Sequence, residues 1–447
     1  MSDADVIVIG AGAAGLMAAQ QIVEADLSVI VLEADERVGG RLKAGEVAGR
    51  WVDFGGQWAG AGHTLLQAQA ARFGVAAYPQ SDSGRTLAQL LGRVMAYTGA
   101  APRMPLISLV ELAFLQARWD RDMRTVPTES PWTAPKAGAW DAMTLETWIL
   151  RHLRTPFARA FARLVPRGAY AVEASQISYL WFMDALRAHQ GLTRLLGIRG
   201  GGQEAKFAGG MAQIPRRMAE TLGDRVVVAA PARRIVQVED GVVVVTDRGE
   251  WRAARIIVAI APGPAARIEY RPHLPASRDS LHQRMAMGAI IKATVAYAAP
   301  FWREAGFSGQ IATDDDVLGI VMDDVGPTGP PMLMCFIEGR RALEMSAAGK
   351  DARRAAVIAS LSRFFGDAAA DPLAYDDNDW TQEPWTHGYV GTMGPGVMTR
   401  YGSALREPCG RIHWAGTETS TEFSGAIEGA LRSGVRAARE VIALHNT

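Results

Sequence analysis

Cysteine is nearly missing from this chain: 447 residues hold two, Cys335 and Cys409, far apart in sequence. No disulfide framework and no cysteine zinc site can be built from them, which fits a reducing, cytoplasmic compartment. The eight histidines are scattered and show no His-x-x-x-His pairing, so no metal site is expected. Charge of one sign is missing too. Lys plus Arg and Asp plus Glu number 47 each, so no net field draws the chain to nucleic acid or anionic lipid. No apolar run reaches the ~18 residues of a membrane span. The N-terminus has no basic stretch leading into an apolar run and a cleavage site, so no secretory signal is expected. The sequence runs to Thr447 directly after a helix-like stretch, so no C-terminal membrane anchor is expected either. There is no internal repeat. What is present is a globular balance, 49% hydrophobic and 21% charged, with enough residues for more than one domain.

The first motif starts almost at once. Val6-Ile7-Val8-Ile9 is a β-branched run suited to a buried parallel strand. Gly10-Ala11-Gly12-Ala13-Ala14-Gly15 follows, then a helical pattern from Leu16 to about Glu24. A second apolar strand, Val29 to Leu32, ends at Glu33. This is strand, G-x-G-x-x-G, helix, strand, acid, the order a dinucleotide fold needs. Gly10 allows the tight turn, Gly12 lets backbone approach a pyrophosphate, and Gly15 lets the helix pack close to the sheet. The helix start offers free N–H groups and partial positive charge. Glu33 can accept from a ribose diol and would repel a 2′-phosphate, which disfavours NADP.

Further glycines narrow the nucleotide. Ala34 to Arg41 contains Gly39-Gly40-Arg41, which resembles the extended motif of FAD enzymes of the glutathione-reductase type. In that motif the arginine meets the pyrophosphate. Asp53-Phe54-Gly55-Gly56-Gln57-Trp58 resembles the segment that approaches the flavin in amine-oxidase relatives. At the far end, Ile412 to Ala415 is strand-like, Gly416 breaks it, and Glu418 follows. Gly425 and Ala426 then open a long amphipathic helix through Ile427. A fresh helix N-terminus there supplies N–H groups to the pyrophosphate or the flavin.

These end motifs, with Gly201 to Phe207 in the middle, make the chain similar to the flavin-containing amine oxidases of the monoamine-oxidase-like kind. The resemblance runs from about Val6 to Ile442. It implies FAD as cofactor, a small amine as substrate and dioxygen as electron acceptor. It also implies roles for single residues. Lys292, in an otherwise apolar strand, corresponds to a lysine that holds water against the flavin N5. Sequence alone favours a lysine that snorkels to the surface, and the resemblance favours the functional role. Ala232 matches a position whose backbone meets the adenine, and Trp380 one that packs under the flavin. Gln203, Leu180 and Leu196 match positions beside the substrate cavity, although both leucines also read as core. Phe336 joins the same pocket. Tyr389 stands near where animal relatives carry a flavin-linking cysteine, so non-covalent FAD is expected. The two aromatic walls of the family's amine cage fall on Val390 (or Tyr389, if the gap shifts by one) and Ala426, so at least one wall is missing. Asp184 and Arg199 read either as partners for a polar substrate tail or as solvated charges.

The expected architecture is α/β. A Rossmann-type FAD domain takes residues 1–76, 207–281 and 386–447, interleaved with an α+β substrate domain at 77–206 and 282–385. The expected reaction turns a primary or secondary amine into an imine, and water then gives the carbonyl product. The competing readings are a flavin amine dehydrogenase or desaturase using another acceptor, an L-amino-acid oxidase, and a flavin-binding scaffold without turnover. Oligomeric state stays open, a homodimer included.

Overall fold

The computed structural model describes residues 2–99, 102–314 and 316–445. The outer limits of the expected FAD segments, Met1 and Asn446 to Thr447, lie outside them. Two large sheets organise the chain. The first is parallel at its centre. Ala4–Ile9 lies between Val29–Leu32 and the second half of Gly249–Val258, and Ile412–Trp414 pairs on the far side of that half. Val226–Val227 extends the sheet beyond Val29–Leu32. Both faces of the central strands are covered, which is why they read as unbroken Val and Ile runs rather than alternating ones. An antiparallel flap, Ala232–Val238 with Gly241–Thr246, continues into the first half of Gly249–Val258. A tight turn at Asp247 and Arg248 joins the last two.

Two helices seal one face. Ala13–Glu24 follows the first strand, and Ile427–His445 lies against it. Small residues make this approach close: a Cβ added at Gly434 would fall 2.3 Å from the Ala14 carbonyl oxygen. The last helix therefore begins at Ile427, just after the glycine expected to open it.

The second sheet has seven strands, in the order Ala374–Asp379, Ile290–Ala296, Met332–Glu338, Ile320–Asp323, Phe307–Thr313, Arg85–Leu90 and Arg93–Tyr97. A helical layer at 106–188 packs beside it. Its helices start where sequence chemistry starts them. Thr144, Thr155 and Ser178 each accept a backbone N–H three residues on, and Pro156 occupies a first-turn position where no amide hydrogen is needed. Trp119, Trp148 and Tyr179 fill the interior, the last two stacked 4.9 Å apart. Among the described residues no helix is long and apolar enough to cross a membrane.

Candidate active site

One cavity collects residues from both sheets and both ends of the chain. At its nucleotide end stand Gly10, Gly12, Ala14, Glu33, Ala34, Gly40, Arg41 and Ala232. The helix Ala13–Glu24 points its N-terminus here, with no side-chain cap and no acid in its first turn. Its positive end is thus left for an external anion. A Cβ added at Gly12 would meet no protein atom within 4 Å, so this glycine faces open cavity. At Gly15 the same Cβ would come within 1.9 Å of the Gly10 carbonyl oxygen. Gly15 packs the turn and does not line the cavity, so it shapes the nucleotide site without the cofactor contact expected of it.

Glu33 does more than wait for a ribose. Its carboxylate accepts from the Ala11 N–H at 2.6 Å and the Asp35 N–H at 2.9 Å, so it braces the glycine turn. Burial raises its pKa, and these bonds work against the rise.

Arg41 and Glu418 form the second brace. Arg41 Nη1 donates to Glu418 Oε1 at 2.6 Å and to the Tyr389 carbonyl at 2.7 Å. Glu418 also accepts from the Gly391 N–H at 3.1 Å. Burial opposes the Glu418 charge, but the Arg41 guanidinium outweighs it and holds the carboxyl below its usual value. Glu418 itself does not border the cavity, contrary to its expected cofactor contact. It stands behind Arg41 because the arginine occupies both of its oxygens.

At the other end stand Gly56, Gln57, Trp58, Lys292, Phe336, Trp380 and Tyr389, with Gly416, Gly425, Ala426 and Ile427 closing the wall. Lys292 is only 2% exposed, which excludes snorkelling. Its Nζ donates to the Gly55 carbonyl at 2.8 Å and to Gln57 Oε1 at 2.5 Å. Burial lowers this ammonium to about 8, against the pull of Asp53 and Asp324. Asp53 is raised to about 6 by burial, although Lys292 and the Met211 N–H favour its charge. The Trp380 indole donates to the Phe54 carbonyl at 2.8 Å, fixing the ring against the cavity. Trp58 meets Phe336 with ring centres 6.0 Å apart.

The substrate-side expectations divide. Leu196 and Gln203 border the cavity. Leu180 does not: it lies in the helix Tyr179–Ala188, fully buried in the helical core. Its apolar side chain is taken up by neighbouring helices, so the core reading holds for it. Asp184 pairs with Arg187 at 2.7 Å, and Arg199 is a surface residue pairing with Asp82; neither reaches the cavity. Tyr389, Val390 and Ala426 all line it, and of the three only Tyr389 carries an aromatic ring. Sequence reading missed Asp53 as a partner in charge, and it missed His63, Tyr170, His189, Ile320 and Glu338 as wall residues. Strand alternation puts Ile290, Lys292, Phe336 and Glu338 on one face. That signal becomes usable only once the strands' register is known.

The residues present fit FAD. A glycine turn and an uncapped helix start face open space, Arg41 is braced beside them, and the buried Gln57 Nε2 has no protein partner. Fold and cavity together define a flavin-adenine-dinucleotide-dependent oxidoreductase. Residues 13–442 match the family described as flavin containing amine oxidoreductase. The putative flavin-containing monoamine oxidase AofH of Mycobacterium tuberculosis is 38% identical over 443 residues, 98% of this chain and 97% of that one. Amine oxidase [flavin-containing] A of Bos taurus is 36% identical over 449 residues, covering 98% and 85%. Among solved structures, cyclohexylamine oxidase from Brevibacterium oxydans superposes with a TM-score of 0.95 at 32% identity over 100% of both chains. Putrescine oxidase bound to putrescine gives 0.94 at 31%, covering 98% of this chain and 99% of that one. The chain belongs to the flavin-containing amine oxidoreductases and is an FAD-dependent enzyme acting on amines.

Proposed function

We propose that the protein oxidises a small primary or secondary amine to an imine, with dioxygen as acceptor and hydrogen peroxide as product. Bound FAD supplies the two-electron acceptor, and water hydrolyses the imine to a carbonyl compound. The chain's residues supply the rest. The glycine turn, the helix N-terminus and Arg41 hold the diphosphate, and Ala232 the adenine. Trp380 and Tyr389 orient the reactive ring. The apolar walls Leu196, Ile320 and Phe336 favour a neutral over a charged amine by desolvation. Lys292 holds a water molecule beside the reacting centre, with Gln57 fixing its direction. The observation that carries this reading is Lys292 itself, a buried ammonium lowered to about 8 at the apolar end of a nucleotide cavity.

No cysteine lines the cavity: Cys335 and Cys409 are both buried elsewhere and free. FAD is therefore held without a covalent bond, and denatured protein passed through a filter should release all of its flavin. Two free thiols suit a cytoplasmic setting. The sheets also suggest the domain division, with 1–76, 207–281 and 386–447 around the nucleotide and the remainder around the substrate. Anaerobic mixing of the flavin-loaded protein with an amine panel tests the activity. Bleaching by at least one amine, followed by peroxide on admitting air, is the expected result. A flavin that stays oxidised with every amine would end the proposal.

A further inference from the structure

Deeply buried carboxylates in this protein have partners. Glu33 accepts two backbone N–H groups, Glu418 has Arg41, and Asp324 has both Lys206 and Arg50 at 2.5 Å. Glu428 takes the N–H groups of Leu65 and Leu66 together with Arg432. Glu338 stands apart. It is 3% exposed and lines the cavity, and its carboxylate makes no hydrogen bond or ion pair among the described residues.

Its neighbours do not account for it. Arg167 lies near enough to favour its charge, yet its Nη1 and Nη2 are engaged by the Asp314 carbonyl and by Glu173. Glycine makes room for the carboxylate itself: a Cβ at Gly319 would come within 2.3 Å of Glu338 Oε2. Burial raises the Glu338 carboxyl to about 8, with Arg167 opposing and Glu173 adding to the rise. An unpartnered carboxylate in an apolar wall is costly, and the cost falls when a cation or strong donor arrives.

Register places this acid relative to the chemistry. Lys292 pairs with Phe336 and Ile290 pairs with Glu338 on adjacent antiparallel strands. Glu338 therefore shares the Lys292 face of the sheet, as its diagonal neighbour on the adjacent strand, roughly 7–8 Å away. We infer that Glu338 ion-pairs with a second amino group of the substrate, and that the preferred substrates are linear aliphatic diamines. One end of the diamine reaches the Lys292 region while the other meets the carboxylate. An extended chain of about five or six bonds covers that separation. This inference rests on the amine-oxidising reading of the same cavity.

The test compares 1,5-diaminopentane and 1,6-diaminohexane with pentylamine and hexylamine, using flavin-loaded wild type, Glu338→Gln and Glu338→Asp. Wild type should favour each diamine over its matched monoamine in kcat/KM. Glu338→Gln should reduce that ratio roughly 30-fold, chiefly through KM, because a desolvated charge pair is lost. Glu338→Asp, which keeps the charge, should restore part of it. Calorimetric binding of 1,5-diaminopentane under anaerobic conditions gives a readout independent of turnover, and Glu338→Gln should weaken it by a similar factor. An unchanged ratio, or unchanged diamine affinity in Glu338→Gln, overturns the inference. If monoamines bleach the wild-type flavin while the ratio stays fixed, only Glu338 is wrong. If no amine bleaches it, the activity reading fails, and the calorimetry still judges Glu338.

Discussion

The two ends of the cavity are built on opposite electrostatic plans. At the nucleotide end each buried charge is saturated from within the protein: Glu33 by backbone amides, Glu418 by Arg41 and the Gly391 N–H. At the substrate end Lys292 donates to neutral acceptors, and Glu338 has no hydrogen-bond or ion-pair partner among the described residues. Saturated groups fix geometry. Unsaturated ones keep interaction energy available for a visitor, at some expense to the stability of the fold. The first end is a rigid holder and the second is where discrimination between ligands can occur.

Breaking the saturated end should have the largest effect. Arg41→Ala leaves Glu418 buried and unpaired, at a cost of about 3–5 kcal/mol. Thermal unfolding should show a large loss of stability, together with loss of bound flavin. The native Glu418 carboxyl lies below its unfolded value. Its contribution is present above the unfolded pKa, about 4.3, and disappears as pH falls through the folded value. The deficit of Arg41→Ala relative to wild type should therefore shrink in acid. A deficit independent of pH would mean that Glu418 is not what Arg41 stabilises.

At the unsaturated end, Lys292→Met should keep FAD bound yet slow flavin reduction or reoxidation on the order of 10²-fold. Stopped-flow measurement of both half-reactions decides this, and normal rates in both would remove Lys292 from the chemistry.

Two glycines of the same turn, Gly12 and Gly15, sharpen the contrast further, since only Gly12 faces the cavity. Gly15→Ala drives a Cβ into the Gly10 carbonyl and should destabilise the protein itself, by about 1–3 kcal/mol. Gly12→Ala meets no protein atom, so the flavin-free protein should melt at the wild-type temperature while its affinity for FAD falls. Equal losses of melting temperature in the two flavin-free variants would refute this division of labour.

The smallest expected effect concerns Glu338. Its folded value, about 8, lies above the unfolded one. The stability it contributes is full below about pH 4.3 and is lost as pH rises through the folded value. Glu338→Gln should consequently match wild type in acid and melt a few degrees higher at about pH 9. A variant no more stable than wild type in alkali would show that the carboxylate is already satisfied.

The same contrast governs what could be read from sequence. The nucleotide end was legible because a short contiguous run, Val6 to Glu33, carries strand, turn, helix and acid together. Backbone approach demands glycine at fixed offsets, and glycine leaves a visible mark. The division of roles between Gly12 and Gly15 was also readable. The substrate end was less so. Lys292, Phe336 and Glu338 meet through strand register, and the separation between Ile290–Ala296 and Met332–Glu338 hides it. Leu180 was misplaced because a leucine in an amphipathic helix looks the same whether it faces a cavity or another helix. Glu338 sits at the end of an apolar strand, where a charged residue ordinarily marks the exit to solvent. Only the structure shows that it faces inward.

The close embrace of Ile427–His445 and Ala13–Glu24 carries a consequence for the living cell. Because the holder is completed by a segment far along the chain from the glycine turn, the dinucleotide can bind tightly only once both stretches have been made and have packed together. A ligand that binds the folded state alone adds its binding free energy to stability. Scarcity of riboflavin should then lower the steady-state amount of this protein, and not only the fraction of it that is active.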